Sequence, residues 1–336
     1  MKKKSILPIL GMIMIVALIA VGCSIRANTE VESKKIVSVA TVQPVHHPIN
    51  QGLSAFEAYI EKHLSDKFEV RVYTDGVIGS NSEALELLQL GSLDMVATSG
   101  SDLEAYANEY KIFSLPYVFE DEENFREVMK KEEFNQLIYD STVDKGIQGV
   151  GWFANGVNNF YSKKKIETPA DLRGLKIRVQ PSEANVRMVN GFNAAATVLA
   201  YGEIYTAMQS NVIDVASNPE MALVDMKHGE VANYYSRTEH QIFTDMFVTT
   251  PSFMENLSGE EEEIFEEGFK LSTQVANNAW DARIEEAIIE AEDMGLEFVT
   301  PDKSLFEEVQ APVREKMLQE YSELQPLYEI IRESQE

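Results

Sequence analysis

The residues best suited to proton transfer or metal binding are the histidines, of which the chain has five. They are His46, His47, His63, His228 and His240. None lies in an HExxH pair, and the sequence has no GxSxG elbow, no P-loop and no GxGxxG fingerprint. The single cysteine excludes an intrachain disulfide and a CxxC zinc site. We therefore predict no catalytic residue, no metal site and no cofactor.

Arg178 has the chemistry to bind an anion. It lies in the alternating segment from Leu175 to Val179, in which Ile177 is expected to face the core and Arg178 the opposite side of a strand. A guanidinium matches a carboxylate through two parallel hydrogen bonds, which fix orientation as well as charge. The same pattern also fits a solvated arginine on the face of a sheet, so the residues alone leave both interpretations open.

Strand-like and helix-like segments alternate along most of the chain. The predicted strands are residues 36–42, 68–73, 93–98, 147–154 and 175–179, and the predicted helices are residues 51–64, 80–90, 121–139, 182–192 and 202–211. This order is typical of an α/β fold with mainly parallel sheets. A second round of the pattern begins near Asn155, which indicates a second lobe.

One unusually long helix is predicted after Ser258. Ser258 and Glu261 form a capping box, acidic residues fill the first turn, and Gly295 supplies the C-terminal stop. A helix of about 36 residues would be about 54 Å long, against about 30 Å for a small domain. We therefore expect it to bridge two lobes, with a break near Gly268 as the alternative.

The N-terminal segment reads as an export signal. Three lysines precede an apolar run from Ile6 to Val21, which is too short for a comfortable transmembrane helix. Cys23 follows the small residues Ala20-Val21-Gly22, as in a bacterial lipobox. We predict that residues 1–22 are a lipoprotein signal peptide, that Cys23 is lipidated, and that the protein is extracytoplasmic and anchored to the cell membrane. The alternative is a generic signal peptide with Cys23 as an unmodified residue.

The composition limits the remaining function classes. Hydrophobic residues make up 44% of the 336 residues, enough for a sizeable core. Lys and Arg number 29 against 55 Asp and Glu, which gives a formal charge of −26. Since no block of the chain forms a strongly basic face, nucleic-acid binding is excluded.

Several separated motifs resemble one known family. They are "ATVQPVHHP" (Ala40 to Pro48), "DGVIGSNSEALELLQLGSLDM" (Asp75 to Met95), "FSLPYVF" (Phe113 to Phe119), "ETPADLRGLKIRVQPS" (Glu167 to Ser182) and "AYGEIYTAMQSNVIDVASNPE" (Ala200 to Glu220). In this order and spacing they resemble the TRAP-type extracytoplasmic solute-binding proteins, the DctP family. The resemblance runs from about residue 36 to about residue 325.

This resemblance implies a two-lobed periplasmic-binding-protein-like α/β fold, with crossover strands and a long helix spanning both lobes. It implies a ligand cleft that closes by hinge motion and a small organic acid that is delivered to the membrane subunits of a TRAP permease. The expected organisation is a flexible tether at residues 23–35, a first lobe at residues 36–154 plus 245–283, and a second lobe at residues 155–244 plus 284–336.

The resemblance also implies which residues contact the ligand. Arg178 matches the arginine that pairs with the substrate carboxylate, Asn218 matches an asparagine whose amide reaches the ligand, and Tyr201 matches an aromatic position in the cleft. Structural alternatives are a turn residue for Asn218 and a core aromatic for Tyr201. His47 and Asn81 lie where the family places loops at the mouth of the first lobe, although both could simply be loop or helix-cap residues.

The sequence departs from the family pattern at two positions. Many members carry a second arginine in a "GFRNF"-like stretch, where this chain has "NGVNNF" with Asn158 at the arginine position. The resemblance therefore makes Asn158 a candidate ligand-binding residue at that position. Ser217 replaces a common acid in "VASNP". With one arginine fewer, a monocarboxylate or a polar acid bound partly by amides is favoured over a simple dicarboxylate.

Two other functions stay open from the sequence. A receptor of an ATP-driven importer would share the two-lobed organisation. A secreted lipoprotein enzyme acting on acidic saccharides is the alternative from a different class, suggested by the many carboxylates and the expected cleft.

Overall fold

The computed structural model describes residues 34–335, and its strands form one mixed sheet. The strands are β1 Lys35–Thr41, β2 Phe68–Tyr73, β3 Met95–Ser99, β4 Gln148–Ser162, β5 Lys176–Val179, β6 Ala195–Val198, β7 Val215–Asn218, β8 Tyr234–Thr249 and β9 Glu297–Val299. Their hydrogen-bonded order is β2-β1-β3-β8-β4-β7-β5-β6, with β9 beside β8.

Helices cover both faces of this sheet. The α-helices in the described residues are α1 Pro48–Leu64, α2 Asn81–Gln89, α3 Gly100–Leu103, α4 Glu122–Met129, α5 Glu132–Asp140, α6 Glu183–Gly191, α7 Ile204–Gln209, α8 Met221–Asp225, α9 Pro251–Glu255, α10 Gly259–Asp293, α11 Lys303–Glu320 and α12 Leu324–Glu333. Short 3₁₀ helices lie at Asn108–Ser114, Val143–Lys145, Pro169–Leu172, Tyr201–Glu203 and His228–Glu230.

Strands β4 and β8 join the two halves of the molecule. They pair antiparallel along their lengths. The C-terminal part of β8 also pairs antiparallel with β3, which is parallel to β1. The C-terminal part of β4 pairs with β7, which leads on to β5 and β6. The chain therefore forms two α/β lobes connected by two crossover strands. The pairing is irregular between Ala154 and Val157, where Gly156 adopts a φ of 72°.

The first lobe has a core on each face of its sheet. On one face Phe56 of α1 stacks on Phe269 of α10 with ring centroids 5.3 Å apart and meets Phe247 of β8 edge-on at 5.5 Å. On the other face Phe125 and Phe134 belong to a larger buried cluster. Close packing of these rings fixes the lobe around β1, β3 and β8.

The second lobe repeats this arrangement. Tyr161, Ile204 and Tyr235 are buried on one face of its sheet. Ile177 and Phe192 are buried on the other face. Ile177 therefore faces the core, as the alternation of β5 predicts.

Helix α10 is unbroken and contacts both lobes. Ser258 N donates to Glu261 Oε2 at 2.8 Å, the capping box that the sequence predicts, and Gly295 follows the helix with a φ of 95°. Phe269 of α10 packs in the core of the first lobe, and Ala291 packs in the core of the second lobe. The prediction of a bridging helix is confirmed, and the alternative break near Gly268 is wrong.

Two segments differ from their predictions. The single helix predicted at 121–139 is two helices, because Asn135 Nδ2 donates to Met129 O at 2.7 Å and so satisfies the end of α4. Residues 284–336 were expected in the second lobe. Helix α12, at the end of this range, instead packs with the first lobe, since Leu327 and Ile331 share a core cluster with Phe125. The apolar stripe of α12 finds its buried partners there.

The predicted signal peptide, Cys23 and nearly all of the tether lie outside the described residues. Within residues 34–335, no helix has the length and apolar character needed to cross a membrane. The same residues contain no group of three or more His, Cys, Asp or Glu side chains that could hold a metal ion.

Candidate ligand-binding site

A cavity of about 790 Å³ lies between the two lobes. Several of its polar side chains follow or end parallel strands: Gln43 follows β1, Gln180 follows β5, and Asn218 ends β7. The carboxyl ends of parallel strands meet at one edge of a sheet, which is where ligands bind in open α/β folds. The fold therefore directs polar groups from both lobes into one cleft.

Arg178 lies on the cavity wall and is only 4% exposed. Its Nε donates to Leu199 O at 3.0 Å, which fixes the plane of the guanidinium. The two Nη groups make no hydrogen bond and no salt bridge to any described residue. Burial lowers the pKa of Arg178, whereas the nearby Asp102 favours its charged form. Since an arginine stays protonated, this is a buried cation in need of an anion.

Asn218 is held in place by a chain of hydrogen bonds. Its Nδ2 donates to Tyr161 Oη at 2.9 Å, and Tyr161 Oη lies 2.7 Å from His228 Nδ1. Burial, together with the Arg178 charge, lowers the pKa of His228 to about 3, so its ring is neutral and can accept at Nδ1. The second amide hydrogen and the Oδ1 of Asn218 are left for a ligand.

Tyr201 stands on the second-lobe side of the cavity, in the short helix Tyr201–Glu203. Its ring meets the His228 ring edge-on with centroids 5.9 Å apart. The ring is only partly buried, so its free part is available to the carbon skeleton of a ligand.

His47 reaches the cavity from the first lobe and is also the N-cap of α1. Its Nδ1 accepts from Ile49 N at 3.3 Å, and burial lowers its pKa to about 3. The neutral ring therefore carries its proton on Nε2 as a hydrogen-bond donor. The His47 ring lies 5.8 Å from that of Trp280, which α10 brings to the cavity.

Two buried aspartates face the cavity from the first lobe. Asp102 Oδ2 accepts from Asn81 Nδ2 at 2.7 Å. Asp245 Oδ2 accepts from Gln43 Nε2 at 3.2 Å and also contacts Asn155. Burial raises the pKa of both carboxyl groups, that of Asp245 to about 6. Asn81 therefore lies at the cavity, with part of its amide engaged by Asp102.

Asn158 is the predicted residue that the structure does not bring to the cavity. Its Nδ2 donates to Gln241 Oε1 at 3.1 Å, and Gln241 in turn donates to Asn185 Oδ1 at 2.7 Å. Strand β4 is irregular on either side of Asn158, so strict alternation cannot be counted across it. Asn155, three residues earlier, lines the cavity instead.

The wall also contains residues that no sequence pattern singled out, among them Gln43, Asp102, Asn155, Gln180, Asp245 and Trp280. Gln43 and Gln180 lie in segments that resemble the family, directly after predicted strands, and this position is a signal for a ligand contact. Asp245 and Asn155 lie within the long crossover strands, where no local pattern distinguishes them. The sequence distinguishes Trp280 only as a large aromatic residue within the predicted bridging helix.

The wall thus combines one unpaired cation with amides, carboxylates and aromatic rings. A carboxylate can pair with Arg178, while the amides and the aspartates can bind polar substituents. The arrangement suits a small polar acid held in the cleft between the lobes.

The chain matches a known protein family over most of its length. The family model "Bacterial extracellular solute-binding protein, family 7" (DctP) matches residues 39–323. The uncharacterized protein YiiZ of Salmonella typhimurium is 34% identical over 268 residues, covering 79% of this chain and 82% of YiiZ.

Two solved structures are similar to the chain in both fold and sequence. A TRAP periplasmic solute-binding protein from Anaerococcus prevotii, with bound α/β-D-glucuronate, has a TM-score of 0.88 and 38% identity, covering 90% of this chain and 98% of that one. Another from Sulfitobacter, with bound β-D-galacturonate, has a TM-score of 0.85 and 29% identity, covering 89% and 100%. The chain therefore belongs to the bacterial extracellular solute-binding protein family 7, the DctP family of TRAP solute-binding proteins.

Proposed function

We propose that this protein binds a hexuronate, such as D-glucuronate or D-galacturonate, and delivers it to the membrane subunits of a TRAP permease. The observation that carries this proposal is the buried, unpaired guanidinium of Arg178 on the wall of the cavity between the lobes. Two similar proteins hold D-glucuronate and β-D-galacturonate, which are sugar monocarboxylates. They match the preference for a polar monocarboxylate that the missing second arginine suggests.

A protein with a formal charge of −26 can bind an anion because the local contact dominates. Two unit charges about 4 Å apart at an effective dielectric constant of about 20 interact by about 4 kcal/mol before desolvation. A charge about 20 Å away through water contributes only hundredths of a kcal/mol after salt screening. Arg178 is the one Lys or Arg on the wall within the described part of the chain.

The cavity also has suitable dimensions. Its volume of about 790 Å³ lies within the range of small-molecule sites and leaves room for a hexuronate with some water. Micromolar affinity requires about −8 kcal/mol. One bidentate ion pair, several hydrogen bonds and an aromatic contact supply free energy of that order.

The membrane context belongs to the same proposal. The apolar N-terminal run and the lipobox-like residues before Cys23 support export and lipid anchoring on the extracytoplasmic side. The mass of the mature N terminus, measured by mass spectrometry, tests the lipidation of Cys23. The coupling ion would be transported by the permease rather than by this chain.

The other functions considered have less support. The family to which the chain belongs consists of solute-binding proteins, which favours a receptor over an enzyme acting on acidic saccharides. The similar structures are named as TRAP proteins, which favours a secondary transporter over an ATP-driven importer as the partner.

The proposal is tested by titrating D-glucuronate and D-galacturonate into the protein and its Arg178→Ala variant by calorimetry. We expect binding to weaken at least about 100-fold, since two charge-assisted hydrogen bonds are lost. Arg178→Lys should recover only part of the affinity because it keeps the charge but not the paired donors.

Arg173→Ala is the matched control, since Arg173 is exposed and precedes the same strand. It should bind like the unmodified protein. Equal hexuronate affinity in the Arg178→Ala variant would contradict the proposed site, and the absence of hexuronate binding in the unmodified protein would contradict the proposed ligand.

A further inference from the structure

Two of the acidic residues around the cavity differ from the others in burial. Asp102 is 7% exposed and Asp245 is 3% exposed. Asp75, Glu83 and Glu203 lie at the exposed edge, and Glu83 and Glu203 bond to neighbouring backbone N–H groups. The exposed acids are hydrated and locally satisfied, whereas the two aspartates depend on what the cavity contains.

Each buried aspartate has acceptor capacity that the protein does not use. Asp102 accepts one hydrogen bond from Asn81, and Asp245 is contacted by the amides of Gln43 and Asn155. A carboxylate has about four acceptor sites. Since a buried carboxylate is stable only when its oxygens find donors, the remaining sites call for donors inside the cavity.

The cation of the cavity does not fill this need. Arg178 makes no salt bridge with Asp102 or Asp245, although its charge stabilises the ionised form of Asp102. The buried wall therefore has a cationic part around the free Nη groups of Arg178 and an anionic part around the two aspartates. A ligand that satisfies both parts has a carboxylate at one end and hydrogen-bond donors elsewhere.

We propose that Asp102 and Asp245 accept hydrogen bonds from the ligand's hydroxyl groups and determine specificity for polyhydroxylated monocarboxylates over dicarboxylates. This inference rests on the proposed function, because it presumes that the ligand carboxylate pairs with Arg178. It extends that function by assigning the part of the site that recognises the remainder of the molecule.

The charges of the two ligand classes explain the selection. Ring hydroxyls of a sugar acid donate to carboxylates and replace the water that each aspartate loses on burial. The second carboxylate of a dicarboxylate can only accept, and it would approach two like charges in a poorly solvated space. The same two side chains thus attract one class and repel the other.

The test compares D-glucuronate with succinate by calorimetry at pH 8. That pH keeps Asp245 ionised, since burial raises its pKa to about 6. The variants are Asp245→Asn and Asp102→Asn, which preserve shape but remove the charge and half of the acceptor oxygens. Asp66→Asn, at an exposed acid remote from the cavity, is the matched control.

We expect each variant to weaken D-glucuronate binding at least about 10-fold and to leave succinate binding unchanged or strengthen it. The ratio of the two affinities should therefore move toward succinate by at least about 10-fold, and the Asp66→Asn ratio should not change. Thermal unfolding checks that each variant is folded. If one variant does not fold, the other decides the outcome.

The outcomes separate this inference from the proposed function. Suppose that D-glucuronate binding depends on Arg178 but that both aspartate variants keep the original ratio of D-glucuronate to succinate affinity. The role of the aspartates in binding hydroxyl groups is then overturned, whereas the proposed function as a receptor for a sugar acid is retained. If the unmodified protein binds succinate more tightly than either hexuronate, the proposed ligand and the role of the aspartates are both overturned.

Discussion

Asn218 illustrates how the site is built at the scale of single residues. Its side chain is 4% exposed, and its position depends on Tyr161 Oη, which in turn is fixed by neutral His228. Tyr235 Oη adds a hydrogen bond to the backbone O of Asn218 at 3.1 Å. Because one hydrogen of the Asn218 amide is already hydrogen-bonded, few side-chain rotamers remain accessible, and the amide is preorganised for ligand binding.

We expect Tyr161→Phe to weaken binding of the hexuronate about 10-fold. The substitution removes the hydroxyl that orients Asn218, but it keeps the aromatic ring that packs in the core of the second lobe. Calorimetric titration measures the loss. A double-mutant cycle with Asn218→Ala should show non-additive effects, because both changes remove the same oriented amide.

Tyr110→Phe is the control for this prediction. Tyr110 is buried in the first lobe and does not line the cavity. Its variant should bind the ligand normally. Fully additive effects of Tyr161→Phe and Asn218→Ala would show that the hydroxyl acts independently of the amide.

At the scale of elements, the contact between α1 and α10 decides where the bridging helix lies. Gly52 of α1 faces α10 so closely that an added Cβ would lie 2.5 Å from Ser272 O and 2.7 Å from Ala276 Cβ. The close approach lets Phe56 stack on Phe269. Because Trp280 lies farther along α10, this contact also positions an aromatic wall of the cavity.

We expect Gly52→Ala to reduce the free energy of unfolding by about 1–3 kcal/mol. The steric conflict with the backbone of α10 cannot be relieved by a rotamer change, and it outweighs the gain of about 1 kcal/mol in helix propensity. Urea unfolding followed by circular dichroism measures the change. Gly259→Ala, at the open start of α10 with no atom within 4 Å of the added Cβ, should leave stability within about 1 kcal/mol. Equal stability of the two variants would contradict the close contact.

At the scale of the whole molecule, the charge of the protein opposes the charge of its ligand. The formal net charge of −26 surrounds a cavity whose buried cation is Arg178. Diffuse repulsion acts on the approach of an anion and is screened by salt over about 10 Å at 0.1 M ionic strength. The buried ion pair acts after arrival and is screened much less.

We therefore expect added salt to increase the association rate of the hexuronate several-fold between about 20 and about 500 mM, with a smaller change in the dissociation rate. Stopped-flow fluorescence is a suitable measurement, because Trp280 lies on the wall of the cavity. Glucose, which carries no charge, is the control for unspecific salt effects on any weak binding. A decrease of the association rate with salt would mean that local positive potential steers the ligand instead.

Local patterns in the sequence determined several features of the structure and of the ligand-binding site. The alternation around Ile177 places Arg178 opposite the core, and the Ser258 box with Gly295 defines the long helix. These features depend on neighbouring residues and on helix or strand periodicity, which a sequence displays directly. The resemblance of the segment from Ala200 to Glu220 to the DctP family implied that Tyr201 and Asn218 would contact the ligand, and both line the cavity.

Other features depended on contacts between distant parts of the chain. Asp245 and Asn155 reach the cavity because β4 and β8 pair along their lengths, and Asn158 is directed away by the irregular pairing beside it. Helix α12 packs on the first lobe because its apolar stripe is complementary to a surface there. Periodicity shows which face of an element is apolar but not which distant surface will cover it, so only the tertiary structure decided these positions.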